Sequence, residues 1–286
     1  MTAPAGTWSR FVAVGDSLTE GLSDESRQQS GEYRGWADRL ATFLASAPRG
    51  IPLQYANLAV RSRRVRDVLD DQIPRAIELR ADLVSVLVGA NDLVRRRADP
   101  VALAHRLSQG IVALRESGAD VLLVTAFAPH RPYLRPLHAR LAEYNAVLEN
   151  TARQTGAMLV DFWRDPICHD SDAWAVDRVH LSSHGHRMLS YRAAAALGIS
   201  GAHAIGELDA AAHDLGDNRI PTARWLWVHA RPWAYRRLRG RTAGDGLSPK
   251  HSELAPVPAV AQNATSGGIS PATPPEVAYS RLRTRG

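Results

Sequence analysis

The chain has 286 residues, 45% of them hydrophobic and 22% charged, which is enough apolar material for a full core and excludes an intrinsically disordered chain. A single cysteine, Cys168, excludes an internal disulfide, and with no CxxC pair or Cys/His ligand set a structural zinc site is not expected. The net charge of +6 lies at the C-terminal end, where 220–286 holds ten basic and three acidic residues; the body is near neutral, and nucleic acid is not expected as a partner.

Every basic residue except Lys250 is arginine. The N-terminus has no basic start followed by an apolar stretch, and no run of about 18 apolar residues occurs, so we expect a soluble, cytoplasmic protein.

In chain order, an apolar run at 11–14 predicts a strand, and Trp36, Leu40, Phe43 and Leu44 mark one face of a helix. A second strand is expected at 53–58. Val65, Leu69, Ile73 and Ile77 mark a helix that Pro74 should kink or split. A strand at 83–88 precedes the helical face Leu103, Leu107, Ile111 and Leu114; a strand at 121–127 precedes Leu137, Leu141, Tyr144 and Leu148; a fifth strand is expected at 157–162. Short β-branched runs bounded by Gly, Pro, Asn or Asp suit strands buried on both faces. Five such alternations predict a five-stranded parallel sheet in a three-layer α/β/α sandwich, with its chemistry at the carboxyl ends of the strands.

The organisation changes after about residue 197. We read 1–200 as one domain, 201–241 as a helical extension docked on the body, and 242–286 as a Pro/Gly/Ser-rich disordered tail. Residues 224–241 mix tryptophan with arginine, which gives a weak membrane-surface contact as the alternative to docking.

Four segments carry chemistry. Gly15-Asp16-Ser17-Leu18 ends the first strand, where Ser17 is an exposed nucleophile, part of a phosphate-binding turn, or a helix N-cap. A hydroxyl nucleophile needs a base, and in Asp177-Arg178-Val179-His180 a carboxylate three residues before an imidazole can fix its tautomer. His184 and His186 follow His180, yet no acid lies among the three and the HExxH spacing is absent; a metal is not expected, and both read as solvated or helix-capping residues. Acyl transfer also needs oxyanion donors, and the strand ends Asn57-Leu58-Ala59 and Gly89-Ala90-Asn91-Asp92 bring the Ala59 N–H and the Asn91 amide to the rim that carries Ser17 and its N–H.

Together these blocks resemble the SGNH (GDSL) hydrolase family, whose GDSL, GxND and DxxH patterns match Ser17, Asn91 and Asp177–His180 in order; Ala59 stands where the family usually has glycine. The resemblance implies a flavodoxin-like sandwich and a serine esterase or lipase with no cofactor and no metal. Ser17, His180 and Asp177 would be catalytic, with Ser17, Ala59 and Asn91 as the oxyanion hole. The expected partner is a small-molecule ester: a short-chain acyl or acetyl ester, a lysophospholipid or a thioester. The 22–35 loop and 163–174 would wall the pocket, giving Arg34, Trp36, Arg61 and Trp174 as substrate-binding candidates. The alternative is a catalytically silent binding module for a lipid or sugar ligand. Oligomeric state is not legible.

Overall fold

The structure is a computed structural model describing residues 8–24, 26, 32–47, 52–95, 97–203 and 242–259. Strand β1 (Arg10–Gly15) leads into the one-turn helix α1 (Ser17–Glu20), followed by α2 (Trp36–Ser46) and β2 (Gln54–Asn57). The next helical stretch comes in three pieces: α3 (Val65–Asp67), a π-helical turn (Val68–Gln72) and α4 (Ile73–Glu78). Then come β3 (Leu83–Leu87), α5 (Ala90–Leu93), α6 (Pro100–Glu116), β4 (Asp120–Val124), α7 (Arg135–Thr155), β5 (Met158–Val160), α8 (Ser183–Ala196) and β6 (His251–Pro256).

The sheet order is β5-β4-β3-β1-β2-β6, with the first five strands parallel and β6 antiparallel to β2. Because β1 pairs with both β2 and β3, the chain reverses its direction of growth at β1, and the crevice beyond its carboxyl end is where such folds place ligands. Ser17 sits there.

The alternation of each strand divides the core. Phe11, Ala13, Leu83, Leu87, Leu122 and Val124 face α2 and α8, while Val12, Val14, Val84, Val86, Val121 and Leu123 face α3, α4, α6 and α7. Both faces are covered, so the three-layer expectation is met. Pro74 at the start of α4 lacks an N–H, and the π-helical turn ends two residues before it.

Two expectations need correction. The sheet has six strands, and the tail from 242 is ordered through 259: β6 closes the outer edge of β2, whose unpaired backbone groups demand a partner. The composition concealed this because β6 is mostly exposed and is held by few apolar side chains, with Leu254 and Val257 packing against the two core clusters. The expected extension at 204–241, its membrane contact included, and the rest of the tail at 260–286 lie outside the described residues.

Candidate active site

The nucleophile turn begins at Gly15, with φ +154°, where a Cβ would lie 2.4 Å from the Leu87 carbonyl oxygen; only glycine fits this passage from strand to helix. Its main chain is held on both sides by the Gln72 amide, which accepts from Gly15 N at 2.7 Å and donates to Gly15 O at 3.0 Å. Asp16 is the N-cap of α1 and accepts from Leu18 N at 3.1 Å. Ser17 is therefore the first residue of the helix, and its N–H belongs to the turn that lacks intrahelical acceptors.

The base arrives on the segment between β5 and α8. Trp174 and Leu181 form an antiparallel bridge, Ala175 N donates to His180 O at 2.9 Å, and Arg178 turns the chain with φ +59°. Ser182 caps α8 by accepting from Gly185 N, and Gly185 packs so close that a Cβ there would lie 2.2 Å from Ala173 O. This turn sets His180 Nε2 2.9 Å from Ser17 Oγ and His180 Nδ1 2.5 Å from Asp177 Oδ2. Asp177 Oδ1 accepts from the N–H groups of Val179 and His180, each at 3.0 Å. Ser23, itself at φ +71°, donates to Asp177 Oδ2 at 3.3 Å.

Burial alone would raise the Asp177 carboxyl. The hydrogen bond and charge of His180, with the two backbone N–H groups, outweigh it and hold Asp177 well below the usual carboxylate range. An ionised carboxylate only accepts, so Nδ1 carries the hydrogen and Nε2 is left to accept from the Ser17 hydroxyl. Asp16 is the opposite case: burial pushes it up to about 7, against the Leu18 N–H and the positive field of His180, with Asp92 and Glu20 adding to the rise.

The oxyanion candidates converge on the same corner with their donors engaged. Asn91 Nδ2 donates to Asp16 Oδ2 and to Arg63 O, both at 3.0 Å, and Ala59 N donates to Asn57 Oδ1 at 3.1 Å. Asn57 Nδ2 in turn holds Thr19 O at 2.9 Å and the Tyr55 hydroxyl at 3.0 Å.

Two of the four substrate-lining candidates lie in the core. Trp36 is wholly buried among α2, α8 and the sheet, and Trp174 is buried with its Nε1 donating to Cys168 O, so both are core residues whose large apolar surface is spent on packing. The guanidinium of Arg61 is ion-paired with Glu20, whose carboxylate also accepts Arg61 N. The Arg34 carbonyl accepts from Arg39 and braces the loop. His186, read as solvated or capping, is fully buried: it accepts from Trp36 N at 3.3 Å, and burial lowers it to about 4. Among the described residues no three of His, Cys, Asp and Glu are placed to hold a metal ion.

Gln72 and Ser23 were not found from the sequence, since their partners lie 57 and 154 residues away. A buried cluster was missed too: Arg39 pairs with Asp24 and donates to Ser26, and Ser183 donates to Asp24 at 2.5 Å, tying the loop after α1 to the start of α8.

A strand-end serine in hydrogen-bond contact with a carboxylate-oriented histidine defines a hydrolase of the serine type. The GDSL-like Lipase/Acylhydrolase family matches residues 13–188, and the chain belongs to that family. No curated protein matches the sequence. Among solved structures, a mutant of Axe2, an acetyl-xylooligosaccharide esterase from Geobacillus stearothermophilus, superposes with a TM-score of 0.60 at 20% identity over 70% of this chain and 98% of its own. A catalytic mutant of the same acetylxylan esterase gives 0.58 at 20% identity, covering 69% of this chain and 97% of its own. LAE5, an alpha/beta hydrolase from the metagenome of Lake Arreo, Spain, gives 0.57 at 23%, covering 70% and 98%. No helix among the described residues is long and apolar enough to cross a membrane.

Proposed function

We propose that the protein hydrolyses a short-chain acyl or acetyl ester through an acyl-enzyme on Ser17, with no metal taking part. The observation that carries this reading is the continuous contact Ser17 Oγ, His180 Nε2, His180 Nδ1, Asp177 Oδ2, at 2.9 and 2.5 Å. The Ser17 Oγ proton passes to His180 Nε2 as Oγ bonds to the ester carbonyl carbon and the carbonyl π pair moves onto oxygen. The Ser17 N–H, the Asn91 amide and the Ala59 N–H stabilise that oxyanion; Asn91 and Ala59 exchange their internal acceptors for it. Collapse breaks the bond to the alcohol, which leaves with the proton from Nε2. Water then gives one proton to Nε2 as its oxygen bonds to the acyl carbon; collapse of this second tetrahedral intermediate breaks the bond to Ser17 Oγ, which regains the proton from Nε2, and the carboxylic acid is released. The acetyl preference rests on the names of the similar structures.

The test is hydrolysis of aryl esters of increasing acyl length, beside Ser17→Ala and mass-spectrometric mapping of an organophosphonate adduct. Stoichiometric labelling of Ser17, with activity that falls with chain length and is lost in Ser17→Ala, is expected. Full activity in Ser17→Ala would refute the reading, and an unlabelled, inactive wild type would favour a binding module.

A further inference from the structure

The C-terminal segment 242–257 lies outside the family match at 13–188, yet it returns to the edge of the sheet beside the nucleophile turn. Its anchor is the only lysine in the chain. The Lys250 side chain is 7% exposed, and its ammonium makes three hydrogen bonds, to Glu20 O at 2.7 Å, to Tyr33 O at 2.8 Å and to Asp38 Oδ2 at 2.6 Å. An ammonium has three donors, so its capacity is filled.

All three acceptors belong to pieces that carry the site. Glu20 ends α1, three residues from Ser17, and Tyr33, like Ser23, lies between α1 and α2. Asp38 starts a relay. Its Oδ1 accepts from the Tyr55 hydroxyl at 3.2 Å, the Tyr55 oxygen accepts from Asn57 Nδ2, and Asn57 Oδ1 accepts from the Ala59 N–H. Asn57 also fixes Thr19 O, so one side chain sets both the nucleophile helix and the oxyanion loop. Two further contacts seat the segment. Gly244 lies where a Cβ would be 2.0 Å from Arg61 O, and the His251 ring meets the edge of Tyr55 with centroids 6.1 Å apart.

We infer that residues 242–257 form a strap that completes the active site, with Lys250 a positioning residue that aligns Ser17 and the Ala59 amide through Glu20, Tyr33 and the Asp38-Tyr55-Asn57 relay. The inference rests on the serine-esterase reading for its catalytic consequence. The docking of the strap is testable without that reading. A lysine used only for stability would affect the folding midpoint; one that positions the site lowers kcat in protein that remains folded, and leaves KM largely as it was.

The experiment uses the full chain as wild type, Lys250→Met and Gly244→Ala. Lys250→Met is expected to lower kcat for an aryl acetate, and the rate of Ser17 phosphonylation, by about tenfold or more, with KM changed less than about threefold. Deuterium exchange should rise in 17–24, 32–35 and 54–60. Because Lys250→Met leaves Asp38 buried without its cation, it is the variant at risk of misfolding. Gly244→Ala keeps every charge and pushes the strap away from Arg61; it should reproduce the exchange change in 54–60 and a several-fold loss of kcat.

In folded wild type the sole ε-amine should react with an amine-specific reagent at least about tenfold more slowly than in the urea-unfolded chain. Equal rates would overturn the docking. Faster exchange in the strap of either variant, with kcat and phosphonylation unchanged, would overturn the positioning role. If wild type neither hydrolyses the ester nor takes the phosphonate, the esterase reading fails, while amine protection and exchange at 17–24 and 32–35 still decide whether the strap holds these residues.

Discussion

Asp177→Asn isolates what the carboxylate does for His180. Asparagine Oδ1 can go on accepting from the Val179 and His180 N–H groups, now at 3.0 Å, so the turn is retained. The other atom changes from acceptor to donor at a position 2.5 Å from His180 Nδ1. Nδ1 must then accept, the ring hydrogen moves to Nε2, and Nε2 presents a donor to Ser17 Oγ where a base is needed. The same exchange in a serine-histidine-aspartate triad costs about 10⁴ in kcat, or ~5.5 kcal/mol of barrier, and we expect a loss of that order here. The assay is steady-state hydrolysis of an aryl acetate with kcat and KM resolved, alongside the rate of Ser17 phosphonylation. Because the folded Asp177 is held below its unfolded value, its stabilising contribution is present above about pH 4 and is lost as pH falls towards the folded value. The stability gap between wild type and variant should therefore close on acidification. A variant with kcat within about tenfold of wild type would show that His180 does not depend on Asp177, and the triad assignment would fail.

Three further outcomes are expected. Asn91→Ala should lower kcat by about 10²–10³ with little change in KM, the signature of a donor used in the transition state; a change confined to KM would contradict that role. Gly15→Ala places a Cβ 2.4 Å from Leu87 O in a left-handed region, and should cost at least about 2 kcal/mol in denaturant unfolding, whereas an unshifted midpoint would show that the turn relaxes freely. The third concerns pH. Asp16, raised to about 7, favours the fold below about pH 4, and that contribution is lost as pH rises to 7, about 4 kcal/mol in all. His186, lowered to about 4, has the opposite sign: its cost appears as pH falls from about 6.5 towards 4. The two slopes nearly cancel in wild type. Asp16→Asn should expose the histidine, with stability falling by up to about 3 kcal/mol between pH 6.5 and 4; a pH-independent variant would refute the assignment.

The sheet was legible because strands buried on both faces must be apolar throughout, as at 11–14 and 83–88, and the crossover helices must carry one apolar stripe. The contact among Ser17, His180 and Asp177 was legible for a different reason: all three lie in short-range patterns in which chemistry and turn geometry restrict residue type together. Trp36 and Trp174 were misplaced because an indole near a strand end carries the same signature whether it lines a cleft or fills the core. Gln72 leaves no local trace beyond the Pro74 that interrupts its helix, and β6 has few apolar side chains to announce it. His186 could not be distinguished from a surface cap because its partner, Trp36 N, is 150 residues distant.

Gln72, Asn57 and Lys250 share one physical character: each is a polar side chain whose bonding capacity is met largely by backbone distant in the sequence. Gln72 meets both polar groups of Gly15, Asn57 meets Thr19, and Lys250 meets Glu20 and Tyr33. Such a group, once buried, tolerates no loss of its partner, because the orphaned donor or acceptor bears the full cost of desolvation. An exposed pair such as Arg75–Glu253 joins equally distant segments, but water replaces either partner and it contributes little. The alignment of Ser17 with His180 is therefore set by the buried polar contacts beneath and beside the nucleophile turn. Substitutions at Gln72 and Asn57 should accordingly impair catalysis more than removal of any surface ion pair, although neither residue touches the reacting atoms.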